Sequence, residues 1–249
     1  MAGGNMKTNS ILVIIPTYRE YDNLCEFTQK LWSAQPKASL LIVDDASGDG
    51  TPAWVKSQPQ FGKELFLIER PAKLGLGTAY LDGFRWALTR PFEFIVQMDA
   101  DLSHDPAAIP QLLAAAAEAD LVLTSRYLPG GGISNWPRRR LLLSRSAACY
   151  VQLLTRMPFT DPTGGYKCWR RSLLEKFDFA EIESTGYGFQ IEMTHIAWRL
   201  GARIVEVPIV FEGRHAGLSK MSGPIAREAF WEVIRLAFSG KGPGQGGTR

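Results

Sequence analysis

Phe94-Ile95-Val96-Gln97-Met98-Asp99-Ala100-Asp101 decides the fold. The run 94–98 is apolar but for Gln97 and reads as a buried strand, and it stops on two carboxylates one residue apart. A helical pattern precedes it, with Tyr80, Phe84, Ala87 and Leu88 at i, i+4, i+7 and i+8, and a second helix is predicted over about 107–117. Working outward, the same alternation continues. Short apolar runs at 11–15 (ended by Pro16), 40–43, 65–68 and 121–125 read as further strands. Leu24, Phe27 and Leu31 mark a helix after the first of them, and a short helix opens near Pro52 after the second. Strand–helix repetition of this kind predicts an α/β fold with a mostly parallel sheet and helices on both faces. Ligands of such sheets bind outside the carboxyl ends of the strands. Those ends are Pro16-Thr17-Tyr18-Arg19-Glu20, Asp44-Asp45, Asp99-Ala100-Asp101 and Ser125-Arg126-Tyr127.

The second half changes character. A glycine-rich loop at 130–132 leads through Asn135-Trp136-Pro137 into a basic, apolar segment over 138–156. Phe189, Met193, Ile196, Ala197 and Leu200 define another helix. The run 204–210 reads as a strand, and Pro208 within it assigns it to a sheet edge. The organisation expected is a flexible start over 1–10, one domain over 11–222, an amphipathic helix over 223–239 and a disordered tail over 240–249.

Composition narrows the class. The 249 residues are 45% hydrophobic and 21% charged, the balance of a packed domain able to fold without disulfides or structural metal. No apolar run approaches the roughly 20 residues of a membrane-spanning helix, and the polar start carries no signal-peptide pattern. Cys25, Cys149 and Cys168 form no CxxC pair and read as thiols in a reducing compartment, so a cytoplasmic location is expected. The net charge is only +3, but no acidic residue lies between Asp120 and Asp161, a stretch holding Arg126, Arg138, Arg139, Arg140, Arg145 and Arg156. Such a block suits phosphates or an anionic membrane surface. No recognition motif for nucleic acid accompanies it, so a nucleic-acid partner is not expected.

Asp99 and Asp101 can share a hard divalent cation, above all when a diphosphate supplies further oxygens. The same spacing also occurs in turns that cap a helix, and the position at a strand end favours the metal. Past the second strand, Asp45 and less surely Asp44 can accept hydrogen bonds from the N–H edge of a nucleobase, while 47–51 make a tight turn. Gly75-Leu76-Gly77 starts a GxGxxG pattern, but Tyr80 takes the third glycine position, so it reads as a turn before a helix. His104, His195 and His215 show no metal-ligand spacing and read as structural.

The strand-end motifs together resemble the family 2 glycosyltransferases with the GT-A fold. Within that family the chain resembles the dolichol-phosphate (polyprenol-phosphate) mannose synthases. Asn135-Trp136-Pro137 with Arg140 and Ser144, the run 161–165, Gly186-Tyr187-Gly188-Phe189-Gln190 and the run 214–221 carry this narrower likeness, which spans about 11–238. The resemblance implies inverting transfer of mannose from GDP-mannose to the phosphate of a polyprenyl or dolichyl lipid, with Mg²⁺ or Mn²⁺ as cofactor. It implies that Pro16, Thr17, Glu20 and Asp45 surround the guanosine, that the main chain of Ala100 lies on the nucleotide, and that Asp99 and Asp101 hold the metal. Arg126, Arg214 and Lys220 would contact phosphates; Arg140 and Ser144 would face the acceptor phosphate. Some relatives carry a Gln ligand where this chain has Ser103. Gln190 and Glu192 lie where many GT-A enzymes place an acidic residue near the acceptor, and Glu192 reads either as a weak base or orienting group or as an ordinary helix carboxylate.

A lipid phosphate is anionic at neutral pH and attacks without a strong base. Holding two anionic groups together while a diphosphate leaves demands a metal and Arg or Lys around both. The acceptor's tail stays in lipid, so a peripheral position on the cytosolic face of a membrane is expected. Apolar residues of 138–156 and of the last helix either lie in the bilayer interface or pack on the sheet. Some synthases of this kind carry transmembrane helices and others use a small membrane subunit, so such a partner is a further expectation. UDP-glucose is the rival donor on the same machinery, and a catalytically idle membrane scaffold is the rival of another class.

Overall fold

The computed structural model describes residues 10–213 and 223–238. β1 (Ile11–Thr17) is followed by α1 (Tyr21–Ala34), β2 (Ser39–Asp44), α2 (Thr51–Ser57), β3 (Leu65–Glu69), α3 (Leu76–Leu88), β4 (Phe94–Gln97), α4 (Ile109–Ala116) and β5 (Leu121–Ser125). Then come β6 (Gly132–Ile133), α5 (Arg138–Thr155), β7 (Lys167–Arg170), α6 (Arg171–Leu174), α7 (Gly188–Arg199), β8 (Ile204–Pro208), β9 (Val210–Phe211) and α8 (Gly223–Phe238).

The period of two in a strand splits its side chains between two faces. Along β1, Leu12 and Ile14 enter one core with Tyr80, Phe84 and Ala87 of α3. Ile11, Val13 and Ile15 enter a second core with Leu24, Phe27 and Leu31 of α1. Both faces are therefore covered, which is why β1 reads as a continuous apolar run rather than as an alternation.

The main sheet has the order β3-β2-β1-β4-β7-β5-β8, and β6 pairs separately with β9. Every pairing in the main sheet is parallel except those of β7, which runs antiparallel to both β4 and β5. Pro208 closes β8 at the sheet edge, where its missing N–H costs no ladder bond. The sequence reading did not anticipate β7. Inserted against the direction of its neighbours, it enters the sheet from their carboxyl edge and delivers the loop 161–165 there.

That edge is conformationally marked. Arg19 (φ 59°), Ala46 (φ 55°) and Leu102 (φ 60°), all non-glycine residues in the left-handed region, lie just past β1, β2 and β4. Such backbone costs on the order of 1–3 kcal/mol per residue and concentrates where function fixes a loop.

Candidate active site

Past β1 and β2, two neighbouring aspartates do different work. Asp44 is a loop fastener: it accepts from Thr17 Oγ1 (2.9 Å), Ser47 N (3.0 Å) and Ser47 Oγ (2.5 Å). Asp45 pairs with Arg70, whose Nη1 donates to Oδ1 over 2.5 Å, and it also accepts from the amides of Leu74 (3.1 Å) and Gly75 (3.0 Å). Asp45 thus organises the turn before α3. The ammonium of Lys73, the residue before the Leu74 amide that Asp45 holds, stands 3.9 Å from the centre of the Tyr18 ring. Pro16 is half-buried near the end of β1, and Glu20 accepts from Asn23 Nδ2 over 2.7 Å.

Past β4, the carboxylates of Asp99 and Asp101 flank the buried Ala100. The Asp99 N–H donates to His104 Nδ1 (3.0 Å), and Asp101 Oδ1 accepts from Ser103 N (3.1 Å) and Ser103 Oγ (2.5 Å). Ser103 therefore orients Asp101. Tyr80 donates its hydroxyl to the carbonyl of Met98 over 2.9 Å. Burial, then the adjacent charges of Asp99 and Asp101, push this phenol well above its usual range, so it stays a donor. Burial outweighs the same carboxylates at His104 and lowers its pKa, so the imidazole is neutral.

The donor set fits a hard divalent cation: two carboxylates on one turn, the Asp99 side chain 30% exposed and Asp101 oriented by Ser103. Among the described residues no three His, Cys, Asp or Glu side chains form a complete metal cage.

Past β5, Arg126 forms a bidentate pair with Asp161 (Nε to Oδ2 2.6 Å, Nη2 to Oδ1 2.7 Å) and also donates to Thr163 Oγ1. Its guanidinium is boxed by the rings of Tyr127, Trp136 and Phe211. Arg140 stacks on Trp136, 3.8 Å from the ring centre, and Ser144 Oγ shares a 2.7 Å hydrogen bond with Tyr127. A groove of about 370 Å³ opens here, lined by Arg126, Tyr127, the glycine-rich loop, Leu141 and Arg145. Rings connect the two sides of the edge: His104 meets Phe211 at 5.6 Å, and Phe211 meets Trp136, under Arg140, at 5.4 Å.

The structure therefore brings Pro16, Thr17, Asp45, Asp99, Ala100, Asp101, Arg126, Arg140 and Ser144 to the carboxyl edge of the sheet. Glu20 follows at the N-terminus of α1, and Arg214 and Lys220 lie outside the described residues. Arg70, His104 and Asp161 emerge as organisers of the site. No sequence spacing singles out Arg70 or His104; Asp161 stood in a quoted motif without a role. Glu192 is 3% exposed and ion-paired to Arg235 of α8 (2.7 Å), the arrangement of a helix carboxylate held within the protein.

α5 and α8 pack together through Tyr150, which stacks on Phe230 at 5.0 Å and donates its hydroxyl to the Phe230 carbonyl. Val151, Val233 and Leu236 are buried, while Leu142, Leu143, Leu153, Trp231 and Phe238 stay exposed. Each helix thus divides its apolar residues between core and surface. No described helix is long and apolar enough to cross a membrane.

The chain is 44% identical over 234 residues to an undecaprenyl-phosphate mannosyltransferase of Micrococcus luteus, covering 94% of this chain and 96% of that protein. It is equally 44% identical, over 236 residues, to a polyprenol monophosphomannose synthase of Mycolicibacterium smegmatis, covering 94% and 89%. Among solved structures it is similar to glucosyl-3-phosphoglycerate synthase from Mycobacterium tuberculosis in complex with Mn²⁺, UDP and phosphoglyceric acid. That match has a TM-score of 0.69 at 16% identity and covers 93% of this chain and 79% of that one. A mannosyltransferase from Pyrobaculum calidifontis in complex with GDP-Man and Mn²⁺ matches with a TM-score of 0.57 at 18% identity, over 92% and 70%. These two likenesses carry the fold, which is GT-A. Residues 12–178 match the model of glycosyl transferase family 2, and with two relatives at 44% identity over nearly the whole chain, the protein belongs to that family.

Proposed function

We propose that this glycosyltransferase moves mannose from GDP-mannose to the phosphate of a polyprenyl or dolichyl lipid, with inversion at the sugar carbon, at a membrane surface. The observation that carries the reading is the meeting of an acidic turn and a basic, apolar helix at one sheet edge. Asp99 and Asp101 stand on one side, Arg140, Arg145 and the Tyr127–Ser144 bridge on the other, joined by the rings of His104, Phe211 and Trp136. The names of the two relatives that match over nearly the whole chain agree with it.

On this reading Tyr18, Asp45 and the Arg70-held turn seat the guanosine, with Pro16, Thr17, Glu20 and the Ala100 main chain around it. Mg²⁺ or Mn²⁺ on Asp99 and Asp101 would neutralise charge on the departing diphosphate. Arg140 and Ser144 hold the acceptor phosphate. An oxygen of that phosphate attacks the sugar carbon from the face opposite the leaving group, the glycosidic bond to GDP breaks, and one displacement inverts the centre. The acceptor is already anionic, so no general base is required, which agrees with Glu192 being engaged by Arg235. Arg126, Arg214 and Lys220 are assigned to phosphates on the resemblance, and Arg126 also fixes the loop 161–165 through Asp161. The exposed apolar residues of α5 and α8 rest on the bilayer, where a small membrane subunit would also bind.

The test is transfer of radiolabel into butanol-extractable lipid from GDP-mannose and polyprenyl phosphate, with Mg²⁺, Mn²⁺ or EDTA, and with UDP-glucose in parallel. Label from GDP-mannose, lost in EDTA and in a folded Asp101→Asn variant, is the expected result. Label from UDP-glucose alone would overturn the donor, and no label from folded protein with lipid would overturn the activity.

A further inference from the structure

Glu192 has been given no part in the reaction, yet its carboxylate is among the most fully engaged in the molecule. Oε2 accepts from the amide of Ser184 (2.9 Å), and Oε1 accepts from the amide of Glu183 (3.3 Å) and from Arg235 Nη2 (2.7 Å). Arg235 also pairs with Glu183 and Glu232, so three carboxylates converge on one guanidinium. The effect is to fasten the start of the segment 183–187 to α7 and α8 together.

That segment lies directly on the turn that opens α3. The carbonyl of Thr185 accepts from the amide of Gly77 over 2.8 Å. The approach is so close that a Cβ at Gly75 would meet Thr185 O at 2.8 Å, and one at Gly77 would meet Ser184 O at 2.5 Å. Only glycine fits at either place. The same turn supplies the Leu74 and Gly75 amides that hold Asp45. An unbroken series of polar contacts therefore runs from α8 through Glu192, the backbone of 183–185 and the glycine turn to Asp45.

We infer that Glu192 is a positioning residue for the donor nucleotide: with Arg235 it presses 183–185 against the glycine turn, which in turn fixes Asp45. The inference rests on the reading of Asp45 as a nucleotide contact. Nucleotide affinity then depends on an ion pair formed with α8, a helix none of whose residues is named in the nucleotide pocket proposed above.

The experiment is calorimetric titration of the full chain with GDP, without lipid, for wild type, Glu192→Gln, Arg235→Gln and the double variant. Each single variant is expected to weaken GDP binding about five- to tenfold, the lower range of inter-site coupling. The double variant is expected to bind no worse than the weaker single, because both changes break one connection. Hydrogen exchange in a peptide spanning 74–77 should quicken in all three. Variants with a lowered unfolding midpoint but wild-type GDP affinity, or losses that simply add, would overturn the inference. Should Glu192→Gln fail to fold, Arg235→Gln carries the test, since that side chain is 34% exposed. Wild type binding UDP but not GDP would overturn the guanine reading, and the same series with UDP would then decide the positioning role. Binding of neither nucleotide would overturn both.

Discussion

The backbone amide of Asp99 donates to Nδ1 of His104 over 3.0 Å, so the neutral imidazole carries its proton on Nε2. The ring is held by Tyr166 at 5.1 Å and Phe211 at 5.6 Å. The carboxylate turn is thereby shaped by a side chain that does not itself need to touch the ion. His104→Phe keeps an aromatic ring and deletes the acceptor. It should cost about 10- to 100-fold in the Mn²⁺ concentration for half-maximal activity. His104→Asn, which restores an acceptor oxygen, should fall between. An unchanged metal requirement in His104→Phe would remove His104 from this role.

Arg126 and Asp161 form a pair in which the side chains are 11% and 1% exposed. Asp161→Asn leaves a nearly buried guanidinium without its counter-charge, and the expected loss is about 3–5 kcal/mol in urea unfolding. Arg126→Lys keeps the charge but not the two-pronged geometry and should not restore full stability. A loss under about 1 kcal/mol, the range of exposed pairs, would mean that water screens the contact.

Lys167 and Cys168 are buried neighbours with opposite consequences for pH. Burial pushes the ammonium of Lys167 down from 10.5 to about 7, and a neutral amine has two N–H donors for the two acceptors present, Gln190 O and Thr194 Oγ1. Between those values the unfolded chain holds a proton that the folded chain lacks, so stability rises with pH by up to about 1.4 kcal/mol per unit. Burial raises the thiol of Cys168 from 9.0 to about 12. There the folded chain keeps a proton that the unfolded chain loses, so stability falls as pH rises. With the buried phenols of Tyr80 and Tyr166, which burial also holds protonated, the prediction is a gain from about pH 7 to 9, a level stretch to about 10, and a decline beyond. Urea midpoints measured against pH check this. Relative to wild type, Lys167→Met should flatten the gain and Cys168→Ala should make the decline shallower.

Leu142 and Leu143 on α5 are each 66% exposed, and Trp231 on α8 is 61% exposed. Replacing all three by Ser should lower sedimentation with anionic vesicles at least tenfold, roughly the apolar burial those side chains would gain. Because they contribute little to the core, the unfolding free energy should move by no more than about 0.5 kcal/mol per site. Vesicle binding equal to wild type would place the lipid on another surface.

Much of this architecture was legible in the residues. The apolar runs of β1 to β5 and the helical spacing of α1, α3 and α7 are long enough to declare their period, and Pro208 correctly named an edge. β7 was not legible. It has four residues, Lys-Cys-Trp-Arg, with a lysine inside a buried strand, and its fully covered faces leave no alternation to detect. The carboxylates of the site were visible as strand-end residues, but what binds them was not. Arg70 lies 25 residues from Asp45, and Arg235 lies 43 residues from Glu192. Such pairings are products of topology, and no local spacing encodes them. Ser103, at the position where some relatives carry a Gln ligand, turns its hydroxyl to Asp101.

β7 also acts as a spacer. Neighbouring strands lie about 4.8 Å apart, so placing β7 between β4 and β5 sets their tips roughly 10 Å from each other. Were β4 and β5 adjacent, the carboxylate turn and Arg126 would face each other at contact range, and opposite charges would neutralise one another across the gap. With the strand inserted, Arg126 takes its counter-charge from Asp161, on the very loop that leads into β7. Four residues of backbone thus hold the carboxylate turn and Arg126 on separate strands, each with its own partner.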